Sequence, residues 1–315
     1  MSPAGRPTLV VVGASGYLGR RVMALARARY RVIATYHTHP RPGAEGMDAP
    51  AGEHTKDEHA EAEHVDDNGT QWRALDVRDS DAIDSSIADA DPAVVINCAY
   101  VQHGPDVDAI TATAPGRLAA AARRAGARFV HLSSDVVFPG RTDRAYHEDD
   151  EPAPVHDYGR AKWRAERLVF ASHPTPLVIR TSLLYGGALD SPGAPEGPQE
   201  RMVRAALAGD DIWFFTGEVR NPIPVDVLAS AILELVGAGH HGLLHVAGAD
   251  AVDRLTFAQL LATAMHGDAA VLRGRPPDAS SAPRPGNVAL DCTNARAILR
   301  DTALTGVHEA LSRRD

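Results

Sequence analysis

Tyr158 and Lys162 stand four residues apart in Tyr158-Gly159-Arg160-Ala161-Lys162, a stretch with helical periodicity. On a helix their side chains share one face. A phenol ionises near pH 10, and an ammonium held beside it favours the phenolate, bringing the tyrosine into range for giving or taking a proton at neutral pH. Ser134 closes the strand-like run Phe129-Val130-His131-Leu132-Ser133-Ser134. A serine hydroxyl at a strand end can hydrogen-bond a carbonyl oxygen as charge develops on it. Beside a nicotinamide, these three groups describe carbonyl reduction or alcohol oxidation, with hydride chemistry from the cofactor and proton transfer from the protein. A Tyr-x-x-x-Lys pair alone also arises by chance on surface helices. Its meaning here comes from the elements that precede it.

The first is Val10-Val11-Val12-Gly13-Ala14-Ser15-Gly16-Tyr17-Leu18-Gly19, an apolar run feeding a three-glycine turn and then a helix-like stretch with Arg20 and Arg21. Gly13 permits the sharp turn out of the strand, Gly16 lets the backbone approach a pyrophosphate, and Gly19 lets the helix pack on the sheet. The helix start adds free N–H groups and a partial positive charge. Gly13, Ser15, Gly16, Tyr17, Leu18 and Gly19 are thus the candidate dinucleotide cradle; the plain alternative is a strand–turn–helix without a ligand.

The chain has 315 residues, of which 44% are hydrophobic, enough for a sizeable core in one large α/β unit or a main unit with a smaller one attached. Its formal net charge of −9 argues against nucleic acid or an anionic membrane as partner. Two cysteines, Cys98 and Cys292, exclude a disulfide scaffold. With no apolar run of transmembrane length and no signal-peptide pattern, the expectation is a cytoplasmic protein.

Arg31 to Tyr36 reads as the second strand. An acidic residue at its end would bind the ribose 2′-OH of NAD, whereas a neutral or basic one tolerates the 2′-phosphate of NADP. The strand ends Thr35-Tyr36-His37-Thr38 with Arg41 following, so NADP(H) is favoured over NAD(H) and His37 and Arg41 become candidate cofactor contacts; alternatively they are solvated loop residues. Residues 39–70, rich in His, Glu, Asp, Gly and Pro, read as a flexible surface insertion. His37, His39, His54, His59 and His64 have no compact ligand spacing, so no metal is expected. Trp72 to Val77 reads as a third strand ending in Asp76-Val77, where the carboxylate either meets adenine or caps the helix at 79–88. Ala93 to Asn97 is a continuous apolar strand, and Cys98-Ala99-Tyr100 follows at its C-terminal end, where open α/β sheets bind ligands.

A helix over 106–125, the Ser134 strand, the Tyr158 helix and a buried strand at 177–181 complete a strand–helix alternation. The fold class is α/β, a Rossmann doubly wound parallel sheet over residues 1–184, with a smaller C-terminal α/β substrate-binding region over 185–315 and an intertwined boundary. In that second region we expect helices at 200–208, 225–236 and 256–265 and strands at 211–215 and 243–247. A small-molecule substrate would lie in the cleft between the two units.

These motifs together resemble the extended short-chain dehydrogenase/reductases, and within them the dTDP-4-dehydrorhamnose reductase group. The resemblance spans nearly the whole chain. It rests on the glycine turn, Asn97-Cys98-Ala99-Tyr100, Ser133-Ser134-Asp135-Val136-Val137-Phe138, Tyr158-Gly159-Arg160-Ala161-Lys162, Arg180-Thr181-Ser182 and Arg284-Pro285-Gly286-Asn287-Val288-Ala289-Leu290-Asp291. It implies that Ser134 polarises a carbonyl, that Tyr158 donates the proton, and that Lys162 holds the nicotinamide ribose and lowers the tyrosine pKa. It also implies that Asp76-Val77 meets adenine and that Cys98-Ala99-Tyr100 lines the cofactor. Asp135 and Val136 would face substrate. Arg220, in Arg220-Asn221-Pro222-Ile223-Pro224, either pairs with a substrate phosphate or is ordinary surface polarity in a turn.

The group commonly carries a tyrosine where Val136 stands and acidic residues where Val101-Gln102-His103-Gly104-Pro105 stands. The resemblance implies a nucleotide-activated 4-keto-6-deoxysugar as substrate, and because these departures fall at positions that face substrate, another keto-sugar nucleotide or a small-molecule ketone is also open. Two rivals remain. One is an NAD-retaining sugar-nucleotide epimerase or dehydratase, since Asp135 follows Ser134. The other is a non-catalytic NADP-binding regulatory subunit, as in a relative that regulates a methionine adenosyltransferase. A homodimer is an expectation from fold analogy alone.

Overall fold

The computed structural model describes residues 5–37, 63–187, 189, 196–277 and 283–312. Its first half runs β1 (Thr8–Val12), α1 (Tyr17–Ala26), β2 (Arg31–Tyr36), β3 (Glu63–Val65), β4 (Gln71–Ala74), α2 (Ser80–Ala90), β5 (Val94–Asn97), α3 (Ala114–Arg124), β6 (Arg128–Ser134), α4 (Asp157–Ser172) and β7 (Leu177–Thr181). Then follow β8 (Leu184–Tyr185), α5 (Pro198–Leu207), β9 (Trp213–Phe215), β10 (Val219–Arg220), β11 (Ile223–Pro224), α6 (Val225–Gly237), β12 (Gly242–His245), β13 (Val252–Asp253), α7 (Arg254–Ala264), β14 (Arg273–Arg275), α8 (Thr293–Ile298) and α9 (Val307–Ser312).

The apolar runs form a central sheet because they are buried on both faces: every residue of β1, β5 and β7 is buried. Alternation then sorts their side chains. Leu9 and Val11 join the core cluster that includes α1 and α6, whereas Val10 and Val12 join the one that includes α2, α3 and Val169 of α4. The strand order is β12-β7-β6-β5-β1-β2-β4-β3, parallel except for the antiparallel edge pair β3–β4. The order reverses between β1 and β5, so the loops after Val12 and Asn97 flank a crevice at the carboxyl ends of the strands. A third core cluster, with Tyr185, Val203, Phe214, Phe257 and Leu261, holds the smaller layer around α5 and α7.

Three elements differ from the sequence expectation. The end of the 39–70 segment supplies β3, an edge strand on which His64 stacks against Trp72 with centroids 6.1 Å apart. The expected helix over 106–125 is two elements. A π-helical turn at Val107–Thr113 precedes α3, because Pro115 lacks the N–H that an unbroken α-helical ladder would use. The strand expected at 243–247 is β12. It pairs with β7 and extends the central sheet, and α6 packs on α1, so the chain returns to its first layer after residue 185.

Candidate active site

The cradle is built at the β1–α1 turn. Gly13 has φ +75°, and a Cβ there would lie 2.8 Å from the Ala99 backbone, so the two loops of the crevice touch at a position only glycine can occupy. A Cβ on Gly19 would strike the Gly13 carbonyl and approach Ala14 Cα to 2.8 Å. The α1 N-terminus has no side-chain cap, and Gly16 is exposed in front of it, which leaves backbone donors for a phosphate. Ser15 contributes its carbonyl to Arg20 Nε at 2.7 Å. Leu18 packs against the core, and the Tyr17 hydroxyl donates to Gly186 O at 3.0 Å. These two side chains thus brace the turn.

At the adenosine end, Asp76 accepts from Arg78 through both oxygens, with the closest bond at 2.8 Å, and this ion pair lowers its pKa to about 2. The exposed His37 Nε2 lies 3.5 Å from Asp76 Oδ2 and 3.3 Å from Arg78. The carboxylate expected to meet adenine is therefore already engaged by a guanidinium that the sequence reading passed over. Val77 is buried beneath it. Arg41, the other expected contact here, lies outside the described residues, as do His39, His54 and His59.

Tyr158 and Lys162 of α4 lie together beside Tyr100, which follows β5. Lys162, on α4, is 3% exposed, and its Nζ donates to Leu132 O at 2.8 Å, two residues before Ser134. It lies 5.1 Å from the Tyr100 ring centroid and 5.8 Å from that of Tyr158. Those two rings are 6.0 Å apart. Cys98 lies near the same lysine, its thiol pushed up to about 12 by burial. Ala99 N donates to Asn97 Oδ1 at 3.1 Å, which fixes the turn into Tyr100.

Burial acts on tyrosine and lysine in opposite senses. It raises the Tyr158 phenol well above its ordinary value, with Tyr100 and Asp135 adding to the effect and a Gln102 hydrogen bond opposing it. It lowers Lys162 to about 8, against the pull of Cys98 and Glu166. The structure opposes the expectation that Lys162 depresses the tyrosine: its ammonium donates to a backbone carbonyl, and desolvation is the largest influence on the phenol. The Tyr158 phenol therefore keeps its proton at neutral pH.

Ser134 Oγ donates to Asp135 Oδ1 at 3.1 Å and accepts from Val136 N at 3.4 Å. Asp135 is 3% exposed, and Ser182 Oγ donates to its other oxygen at 2.6 Å. Burial raises this carboxyl; Arg220 and the hydroxyls act against that. Arg220 is not the surface residue of the second sequence alternative. It is buried, it donates to the carbonyls of Gly286 (2.8 Å), Val219 (3.0 Å) and Pro285 (3.3 Å), and it faces Asp135 at 3.8 Å and Glu218 at 3.7 Å. Its donors are engaged inside the protein.

Two other guanidiniums, Arg254 and Arg284, open onto a cavity beside β9. With Met202, Trp213 and Phe215 they line a space of about 380 Å³. Among the described residues the Arg254 guanidinium makes long contacts, 3.5 Å to Gln199 Oε1 and 3.7 Å to Met202 Sδ. Its pKa is lowered to about 10 by burial and by Arg220 and Arg284, with Glu218 and Asp135 opposing, so this cavity adjoins the serine site electrostatically. Arg284 lies over the Phe215 ring at 4.5 Å and pairs with Glu218.

Sequence reasoning gave no individual role to Ser182 or Arg254, and it set Gln102 only within a stretch that faces substrate. Each sits in a stretch already singled out or beside one, but its role depends on a partner distant in sequence. Val101, which precedes Gln102, is pinned through both N and O by Thr111 Oγ1 at 2.9 and 2.7 Å.

Residues 7–312 match the model of the RmlD substrate binding domain. The chain is 31% identical over 304 residues to the probable low-salt glycan biosynthesis reductase Agl14 of Haloferax volcanii, covering 92% of this chain and 91% of that protein. It is 35% identical over 220 residues to a dTDP-4-dehydrorhamnose reductase of Mycolicibacterium smegmatis, covering 67% of this chain and 64% of that one. Its fold matches the crystal structure of a Bacillus anthracis dTDP-4-dehydrorhamnose reductase in complex with NADP, with a TM-score of 0.76 at 20% identity over 98% of both chains. The chain belongs to the RmlD substrate binding domain family.

Proposed function

We propose that this protein is an NADP(H)-dependent reductase of a keto group on a nucleotide-activated deoxysugar. The observation that supports the reading is the packing of Tyr158 and Lys162 at the switch-point crevice, with the lysine bonded to the strand that ends in Ser134 and the phenol kept protonated. The uncapped α1 start and the Gly13–Ala99 contact suit a dinucleotide pyrophosphate. When bound, the nicotinamide supplies hydride to the carbonyl carbon. Ser134 hydrogen-bonds the carbonyl oxygen, Tyr158 delivers the proton to it, and Lys162 orients the ribose. Arg254 and Arg284 offer cations to the substrate diphosphate, and Trp213 and Phe215 offer ring faces at the same cavity.

NADP(H) over NAD(H) is supported by the absence of a carboxylate at the end of β2, by Arg78 beside His37, and by the NADP carried by the Bacillus anthracis relative. Direct titration with NADPH and NADH tests that preference. The dehydratase reading is less well supported, because Asp135 is held by Ser182 and faces Arg220.

The deciding experiment follows NADPH oxidation with dTDP-4-keto-6-deoxysugars in wild type and Tyr158→Phe. Wild-type turnover should fall by about 10²–10⁴-fold in the variant, with NADPH affinity kept, since only the hydroxyl is removed. Equal activity in both refutes the assignment of Tyr158. Silence in both with NADPH still binding redirects the reading to a different ketone or a regulatory role.

A further inference from the structure

The helix that carries Tyr158 and Lys162 begins at a titratable cap. His156 has extended backbone (φ −136°, ψ 167°), and its Nδ1 accepts from Gly159 N at 3.0 Å. Gly159 is the third residue of α4 and the immediate neighbour of Tyr158. The two rings on either side of Asp157 are stacked, with centroids 6.3 Å apart and planes 22° from parallel. Serine, threonine, aspartate and asparagine are the usual residues for this task. A histidine performs it only while Nδ1 keeps its lone pair, with any ring proton on Nε2.

We propose that His156 is a positioning residue: its neutral Nδ1 fixes the first turn of α4, and with it the Tyr158 hydroxyl, and protonation in acid releases that hold. Protonated at both nitrogens, the ring becomes donor only and opposes the Gly159 N–H it had accepted from. The neutral form is favoured where the ring sits. Burial lowers the pKa from 6.5, and Arg220 on β10, Arg284 on the segment between β14 and α8, and Arg160 on α4 itself add repulsion. A hydrogen bond at its own backbone acts the other way. Tyr158 is the titratable group stacked on it, and it stays protonated across the acid and neutral range. A folded-state value below 6.5 means that the capped form is fully present above that value and is lost as pH falls through the lower one.

The catalytic half of this proposal rests on the reductase reading; the capping half does not. Hydrogen–deuterium exchange of the segment 157–163 in the cofactor-free protein, compared at each pH with His156→Asn, reads the cap alone. Asparagine caps but does not titrate. Near pH 8, His156→Ala should exchange about fivefold faster than wild type, with His156→Asn close to wild type. As pH falls from about 8 to the most acidic pH at which the protein stays folded, the ratio of wild-type to His156→Asn exchange should climb about fivefold, and wild-type kcat should fall relative to the variant over the same interval. A ratio that stays constant, or an alanine variant that exchanges like wild type, overturns the cap. Superimposable kcat profiles with the exchange response present overturn its link to proton delivery. If wild type turns over no keto sugar, the reductase reading fails and the exchange ratio alone decides on His156.

Discussion

Replacing Lys162 with methionine removes a buried ammonium from a helix at little change in volume, and the effect on stability has a sign and a size that follow from the structure. Native Lys162 releases its proton near pH 8, whereas the unfolded residue does so near 10.5. Between those values the unfolded chain binds more protons, so wild-type stability must rise with pH relative to a variant without the group. At about 1.4 kcal/mol per tenfold, the displacement amounts to about 3 kcal/mol across the interval. Below pH 8 both states are protonated, and the difference between the two proteins is constant. Loss of the 2.8 Å bond to Leu132 O adds an offset, but a carbonyl does not titrate, so the slope is unaffected. The assay is urea unfolding of wild type and Lys162→Met, without cofactor, at intervals from about pH 7 to about pH 10. A stability difference that is flat, or that slopes the other way, would refute the claim that this lysine is held in a desolvated site. The same titration implies that wild-type kcat declines above about pH 8 as the ammonium is lost.

Glu166→Ala should cost about 3–5 kcal/mol in denaturant unfolding, because Arg180, 4% exposed in its side chain, would lose both of its bonds to the carboxylate (2.9 and 2.7 Å) and Ser133 would lose its acceptor; a loss under about 1 kcal/mol would show that the buried pair relaxes into water. Gly19→Ala should weaken NADPH binding at least about tenfold in a fluorescence titration and destabilise the fold by about 1–3 kcal/mol, since its Cβ meets backbone at Gly13 and Ala14 that has no room to yield. Unchanged affinity would remove the turn from the cofactor site.

What the sequence made legible were features fixed by local geometry. The strand–turn–helix at 8–26 follows from an apolar run and three glycines, and the positive φ of Gly13 with the close packing of Gly19 are what those glycines are for. The i,i+4 spacing placed Tyr158 and Lys162 on one helix face at the same crevice. What stayed illegible needed partners brought together by the fold. Arg220 looks like a loop cation in sequence, yet three carbonyls and Asp135, 85 positions earlier, enclose it. Periodicity could identify β12 as a strand but could not say that it leaves the smaller layer to pair with β7. The tyrosine pKa was misjudged for the same reason. Sequence spacing reveals the ammonium nearby but not the desolvation that outweighs it.

That misjudgement bears on the direction of the chemistry. An enzyme that removes a proton from an alcohol needs a phenolate at working pH; one that reduces a carbonyl needs a phenol that still holds its proton. In the cofactor-free site, one physical cause, exclusion of water, keeps Tyr158 protonated and brings Lys162 within reach of neutrality, so the proton rests on the phenol oxygen, as the proposed reduction requires. After transfer, a phenolate beside a lysine ammonium is the arrangement that the same low dielectric favours. Tyr100 lies against both groups and Gln102 hydrogen-bonds the phenol, so the loop pinned by Thr111 tunes how strongly the proton is held. Substitutions at Gln102 should therefore change how firmly the phenol holds its proton, and so alter kcat, while NADPH affinity in a direct titration stays near the wild-type value.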